Sequence, residues 1–214
     1  KKIFLNFFYK KADGVIVNSK EIQNVLRKEF NLKSNLIRNE IDIKEIKKLS
    51  KKKINFRFFK NERNKTFISI GRLDSNKNHQ FLIESLNKME SKYKFNLLIL
   101  GNGYLEKFLK NLIKKYELND YVKILNYQYN PYPYINNSDG LILSSFYEGY
   151  PNVLIESGAL NKIIISSNCK SGPKEILNKN KNGYLFKTND FNSFKMSLIK
   201  FYKNKNNSKK IQNL

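Results

Sequence analysis

The sequence predicts an α/β fold, a doubly wound parallel sheet with helices on both faces. Three observations carry this. Short, near-continuous apolar runs read as strands buried on both sides. Segments with apolar residues at helical spacing stand between them. Several of the strands run into a glycine-containing corner just before a helical segment, where such sheets place ligands.

In chain order, the expected strands are "GVIVN" (14–18), "NLIR" (35–38), "TFISI" (66–70), "FNLLIL" (95–100), "YVKIL" (121–125), "GLILS" (140–144), "KIIIS" (162–166) and "GYLF" (183–186). Between them, Ile22, Val25 and Leu26 share one helical face, and Phe81, Leu82, Leu86 and Met89 share another. Leu105, Phe108, Leu109 and Leu112 make a third. The lysine-rich stretch "IKEIKKLSKKKINFRFFKNERNK" (43–65) breaks this rhythm and reads as a linker. The organisation expected is therefore a remnant of a preceding domain at 1–42, a linker at 43–65, a main domain at 66–205 and a polar, fraying tail at 206–214. With no initiating Met and an opening that reads as mid-domain, the chain is expected to be part of a longer protein.

Composition narrows the function. Of 214 residues, 40% are hydrophobic and 14% aromatic, enough for a packed core, yet no apolar run is long enough to span a membrane. The single cysteine, Cys169, and the single histidine, His79, exclude an intrachain disulfide, a cysteine zinc site and a histidine metal cluster. Such cysteine usage suits the cytoplasm. The net charge of +23 invites a nucleic-acid reading, but the lysines are spread along the chain and only five basic residues are arginine. No specific nucleic acid is expected. Lysine, asparagine and isoleucine are abundant in every segment, so the charge reads first as a compositional bias, with a residual attraction to an acidic membrane surface, at the inner face of the cell membrane, as the partner it allows.

Four corners could carry chemistry. In "SIGRLDSNKNHQ" (69–80), Gly71 lets the chain turn, and Arg72 and Lys77 bring cations to the end of a core strand beside a helix start. In "LLILGNGYLEKFL" (97–109), Gly101 and Gly103 either admit a ligand or serve the turn alone. In "SSFYEGYPNVLIESGAL" (144–160), Glu148 and Gly149 form a turn and Pro151 is expected as the first helical residue. The amides of Asn152, Val153 and Leu154 would then face an anion. Glu148 and Glu156, unsuited to holding that anion, either accept hydrogen bonds from sugar hydroxyls or serve the helix dipole and a solvated face. In "SNCKSGPKEILNKNKNGYLF" (167–186), Ser171 and Gly172 either face the same cleft or are turn residues, and Asn182-Gly183 turns into the last strand.

Taken in order, "GRL" with Lys77, "GNG", "NPYPYINNSDGLILSS", "YEGYPNVLIES", "SGPKEIL" and "NGYLF" resemble the C-terminal half of a family 4 GT-B glycosyltransferase. The stretch "ADGVIVNSKEIQNVLRKEF" resembles the end of that family's N-terminal domain. The resemblance implies two Rossmann-like domains, of which the N-terminal one binds the acceptor and this one the nucleotide sugar. It implies that Arg72 and Lys77 hold the donor diphosphate, Glu148 the donor-sugar hydroxyls and Glu156 the ribose hydroxyls. Arg72, Lys77 and Glu148 would be the catalytic set. Gly71, Gly101, Gly103, Gly149, Asn152, Val153, Leu154, Ser171 and Gly172 would complete the donor site. The implied reaction is retaining and metal-independent, with no cofactor beyond the donor. The wording is closest to bacterial surface-polysaccharide enzymes, which implies a UDP-hexose or UDP-N-acetylhexosamine donor and a glycan or polyprenyl-linked acceptor. Asparagine stands at 126 and 161, where the family has glycine, and is the best substitute for a left-handed backbone. The alternatives are a basic nucleic-acid-binding protein, another GT-B relative, or a donor-binding piece that is inactive by itself.

Overall fold

The computed structural model describes residues 7–9, 11–55, 57–58, 64–178 and 183–203. All eight expected strands form; β3 keeps its expected bounds, β7 is shifted by one residue, and the others are shorter than their apolar runs. β1 (Ile16–Val17) and β2 (Asn35–Leu36) make a two-stranded parallel pair joined by α1 (Lys20–Phe30). β3 (Thr66–Ile70), β4 (Asn96–Leu100), β5 (Val122–Leu125), β6 (Gly140–Leu143), β7 (Ile163–Ser167) and β8 (Tyr184–Phe186) form one sheet. Its strands are parallel, in the order β5-β4-β3-β6-β7-β8. The strand order reverses between β3 and β6. Ligands bind at such a switch point, outside the carboxyl ends of the strands.

Successive strand residues face opposite sides of this sheet, and both sides are dry. Phe67, Leu97, Ile99, Ile142 and Ile165 pack on one side, against α3 (His79–Lys88), α4 (Glu106–Lys115) and α8 (Phe191–Lys203). Ile68, Leu98, Leu100, Leu141, Leu143 and Ile164 pack on the other, against α5 (Tyr132–Asn137), α6 (Asn152–Ala159) and α7 (Pro173–Ile176). Burial on both faces explains why the strands read as continuous apolar runs rather than alternating ones.

The stretch expected as a linker carries a short helix. Ile43–Leu49 forms a helix, α2, capped by Asp42, whose side chain accepts from the Glu45 N–H at 2.9 Å. One apolar position decides its docking: Ile46 is 3% exposed and joins the core on the α6 side. The lysines around it are solvated, which is why the pattern reads weakly. Asn182 and the tail 204–214 lie outside the described residues.

Candidate functional site

Four loops meet at the carboxyl edge of the sheet, and the glycines are what lets them meet. A Cβ on Gly101 would stand 1.9 Å from the Gly71 carbonyl oxygen, and one on Gly103 would stand 2.4 Å from that of Leu73. The close approach that these two glycines permit here is that of the chain's own backbone. The contact is sealed by hydrogen bonds from Leu73 N–H to Asn102 O (2.9 Å) and from Leu105 N–H to Leu73 O (3.0 Å). On the other side of the switch point, a Cβ on Gly172 (φ 72°) would meet Pro151 Cδ at 2.5 Å and Gly149 O at 2.7 Å. A Cβ on Gly149 would meet only Asn18 side-chain atoms, the nearest at 3.4 Å.

Lys77 and Glu148 meet across the switch point. Lys77 comes from the loop after β3 and Glu148 from the loop after β6. Lys77 Nζ lies 2.6 Å from Glu148 Oε1, with the side chains 19% and 11% exposed. The same carboxylate oxygen accepts from Ser145 Oγ at 2.6 Å. A Cβ on Gly71 would press on Lys77 Cδ and Cε at 2.9 Å, so the glycine leaves room for the lysine stem. Beneath the pair, buried serines fix the loops. Ser144 Oγ donates to Lys77 O (2.8 Å), and Ser167 Oγ donates to Ser145 O (2.7 Å). Asn76 clamps Tyr147 from both sides, accepting from its N–H and donating to its carbonyl, each at 3.0 Å. The serines' role was missed in the sequence, although a serine doublet ending a buried strand was its signal. A buried hydroxyl must find a partner.

The other expected site residues fall into three groups. Arg72 stands on the same loop as Lys77 with its side chain 80% exposed; its Nε lies 3.3 Å from Asp74 Oδ2. Helix α6 begins at Asn152, not at Pro151, which is the cap residue with extended backbone. The amides of Asn152 and Val153 make no hydrogen bond among the described residues, whereas Leu154 N–H closes a turn onto Pro151 O at 3.1 Å. Glu156 lies on α6 and makes no hydrogen bond or ion pair among the described residues. Burial lifts its carboxyl above the usual carboxylate range, and its charge reaches the Tyr132 phenol. Ser171 (φ 65°) has its N–H held by Glu21 Oε2 at 2.8 Å.

That last contact belongs to a set that ties residues 18–39 to the site. Glu175 accepts from the Lys20 N–H at 3.2 Å and pairs with Arg38. Asn39 Nδ2 donates to Asn152 Oδ1 at 2.8 Å. The segment expected as a domain remnant thus closes one side of the cleft. Asn161 takes the left-handed conformation expected of it (φ 56°). Asn126, just past the end of β5, does not: its φ is negative, and the next residue, Tyr127, is held through its N–H by Asn102 Oδ1 at 2.8 Å.

Cys169 is not a nucleophile here. It is 6% exposed, and burial pushes its thiol up to about 11. A thiol reagent at pH 7 is expected to label the folded chain far more slowly than the chain in denaturant. Equal labelling rates would mean that the Ser167–Gly172 turn opens freely.

The fold and this cleft define a class: a parallel six-stranded α/β unit of the GT-B glycosyltransferase kind. Residues 50–213 match the family of glycosyl transferases group 1, and the chain belongs to that family. It is 36% identical over 178 residues to the uncharacterized glycosyltransferase MJ1059 of Methanocaldococcus jannaschii, covering 80% of this chain and 43% of that one. A second relative is N-acetylgalactosamine-N,N'-diacetylbacillosaminyl-diphospho-undecaprenol 4-alpha-N-acetylgalactosaminyltransferase of Campylobacter jejuni. Identity there is 32% over 195 residues, covering 90% of this chain and 51% of that one. The chain thus spans about half the length of these relatives, or less. Among solved structures, TarM of S. aureus, in a complex that includes UDP, superposes with a TM-score of 0.80 at 20% identity, over 98% of this chain and 41% of that one. Anabaena HepE with UDP and glucose gives 0.80 at 18% identity, over 98% and 59%. Among the described residues no helix is long and apolar enough to cross a membrane.

Proposed function

We propose that this chain is the donor-binding half of a retaining, metal-independent glycosyltransferase. It would take a UDP-linked hexose or N-acetylhexosamine and serve transfer to a glycan or lipid-linked glycan in polysaccharide biosynthesis. The observation that carries the reading is the Lys77–Glu148 pair at the switch point; α6, which follows the Glu148 loop, adds the amides of Asn152 and Val153 and the Glu156 carboxylate, which has no partner among the described residues. Cations and helix amides suit a diphosphate, and carboxylates suit ring hydroxyls. The names of the relatives above add support, since they pair UDP with this fold and a lipid-linked acceptor with this family.

In this reading, Lys77, Arg72 and the Asn152 and Val153 amides stabilise the departing diphosphate, a preorganised electrostatic contribution. The acceptor hydroxyl attacks from the leaving-group face, so the configuration at the sugar carbon is kept. Glu148, fixed by Lys77 and Ser145, meets the sugar; Glu156 meets the ribose. Calorimetry with UDP, UDP-sugars and duplex DNA tests the reading. UDP and a UDP-sugar should bind and DNA should not. Binding of DNA alone would overturn it in favour of a nucleic-acid-binding protein.

The two glutamates are expected to separate by ligand. Glu156→Gln should weaken UDP and UDP-sugar alike, because both carry the ribose. Glu148→Gln should spare UDP and weaken only the UDP-sugar, by about 1–2 kcal/mol for a charge-assisted hydrogen bond. Stability supplies a second readout. Because the folded Glu156 carboxyl titrates above its unfolded value, its ionisation destabilises the fold as pH rises. Glu156→Gln should therefore melt above the parent at pH 7, and the gain should fade as pH falls and the parent's carboxyl takes up its proton. A variant that melted below the parent would give Glu156 a structural role.

A further inference from the structure

Behind the loop that carries Lys77 lies a second cavity of about 440 Å³ that the donor reading does not use. It opens between the N-terminal ends of α3 and α4. His79, Gln80, Glu84, Phe108, Phe146 and Asn189 line it. No lysine or arginine is among its described lining, in a chain of net charge +23. Two carboxylates, of Asp74 and Glu84, do line it. Its described side chains offer an anion no cation, and the two carboxylates oppose one.

What the lining offers is a half-exposed aromatic wall and a set of neutral or acidic polar groups. Phe108 is 44% exposed and Phe146 37%. Glu84 uses one oxygen to accept from Gln80 Nε2 at 2.7 Å, and its other oxygen has no partner among the described residues. Asn189 Oδ1 accepts from Asn78 Nδ2 at 3.3 Å, which leaves the Asn189 amide protons for a ligand. His79 is 2% exposed, and its buried Nδ1 has no partner among the described residues. Burial and the nearby Lys77 charge bring its imidazole down to about 4, so it is neutral and polar at physiological pH. An aromatic face beside carboxylate, amide and imidazole groups suits a ligand with one apolar ring face and a rim of hydroxyls. The size lies within the range of small-molecule sites.

We infer that this cavity is a subsite for one neutral hexose or N-acetylhexosamine unit of the acceptor glycan. The occupant's ring would rest on Phe108 and Phe146, with its hydroxyls on Glu84 and Asn189. The inference rests on the glycosyltransferase reading above for the identity of the glycan. The cavity adjoins the donor pair, so this domain would add one contact to an acceptor that the family resemblance assigns mainly to the N-terminal domain. Phe146 lies two residues before Glu148, and its N–H donates to Asn76 O at 2.8 Å, so the cavity and the donor pair share the same two loops.

The chain's only histidine makes the test direct, because its ring resonances need no assignment by elimination. The ring ¹H and ¹⁵N signals of His79 would be followed while the methyl α-glycosides of glucose, galactose, N-acetylglucosamine and N-acetylgalactosamine are added in turn. At least one sugar should shift them saturably, and inorganic phosphate should not. Phe108→Ala and Glu84→Gln should each weaken that sugar by roughly tenfold, with UDP affinity unchanged in both. No shift with any sugar, an equal shift with phosphate, or unchanged sugar affinity in both variants would overturn the inference. UDP binding, measured on the same samples, reports separately on the donor reading: a chain that binds UDP while its histidine ignores every sugar loses only the subsite.

Discussion

Gly101→Ala is expected to destabilise the fold by about 3 kcal/mol or more, the upper range for an overpacked interior position. Its new methyl would have to stand 1.9 Å from the Gly71 carbonyl oxygen, and a backbone carbonyl cannot swing aside as a side chain can. Relief requires prising the loop after β4 from the loop after β3. That would break the Gly71 N–H to Leu100 O bond (3.0 Å) and the paired bonds of Leu73 beside it. Gly149→Ala is the control, since its nearest neighbours are side-chain atoms of Asn18 at 3.4 Å or more. It should stay within about 1 kcal/mol of the parent. Urea denaturation of the three proteins decides between two roles for glycine. If Gly101 makes room for a ligand, the alanine variant keeps its midpoint and loses only UDP. If it makes room for the next loop, the midpoint falls and UDP binding follows from whatever fraction remains folded. A lost midpoint in Gly149→Ala and not in Gly101→Ala would contradict the packing described here.

The sheet was legible because burial on both faces leaves an unmistakable mark: Ile68 and Phe67 are neighbours in sequence, belong to opposite cores and are both apolar. The order of the corners was legible too, since glycine and proline punctuate it. Helix α2 was hidden, because a seven-residue helix that docks through Ile46 alone leaves too little period among its lysines. The glycines of "GNG" gave a true signal of close approach without naming what approaches. Lys77 and Glu148 were both expected at the site, but 71 positions separate them, and no spacing rule indicates that they touch. The same holds for Glu21 against Ser171, which are 150 positions apart. Contacts across a switch point come from strand order, and strand order is a property of the folded sheet.

The Lys77–Glu148 contact leads to the second large effect. Lys77→Met should lower stability by about 3 kcal/mol, the lower end for breaking a buried ion pair. Glu148 would then remain 11% exposed with Ser145 Oγ as its one described partner. Methionine keeps much of the stem volume against Gly71, so the loss reflects charge more than packing. Arg72→Ala is the contrast. With its side chain 80% exposed beside Asp74, Arg72 should contribute less than about 1 kcal/mol to stability. Both substitutions should nonetheless weaken UDP by about 1–3 kcal/mol, if both cations meet the diphosphate. Neither should change the binding of uridine, which lacks it. The double variant Lys77→Met/Glu148→Gln separates the lysine's two roles. Removing the stranded carboxylate charge should restore most of the stability lost in Lys77→Met. It should not restore UDP affinity, because the phosphate partner is still missing. If the double variant recovered both, the lysine would act on the donor only by neutralising Glu148. If it recovered neither, the pair would not be an electrostatic unit, and the contact at 2.6 Å would carry no weight in the fold.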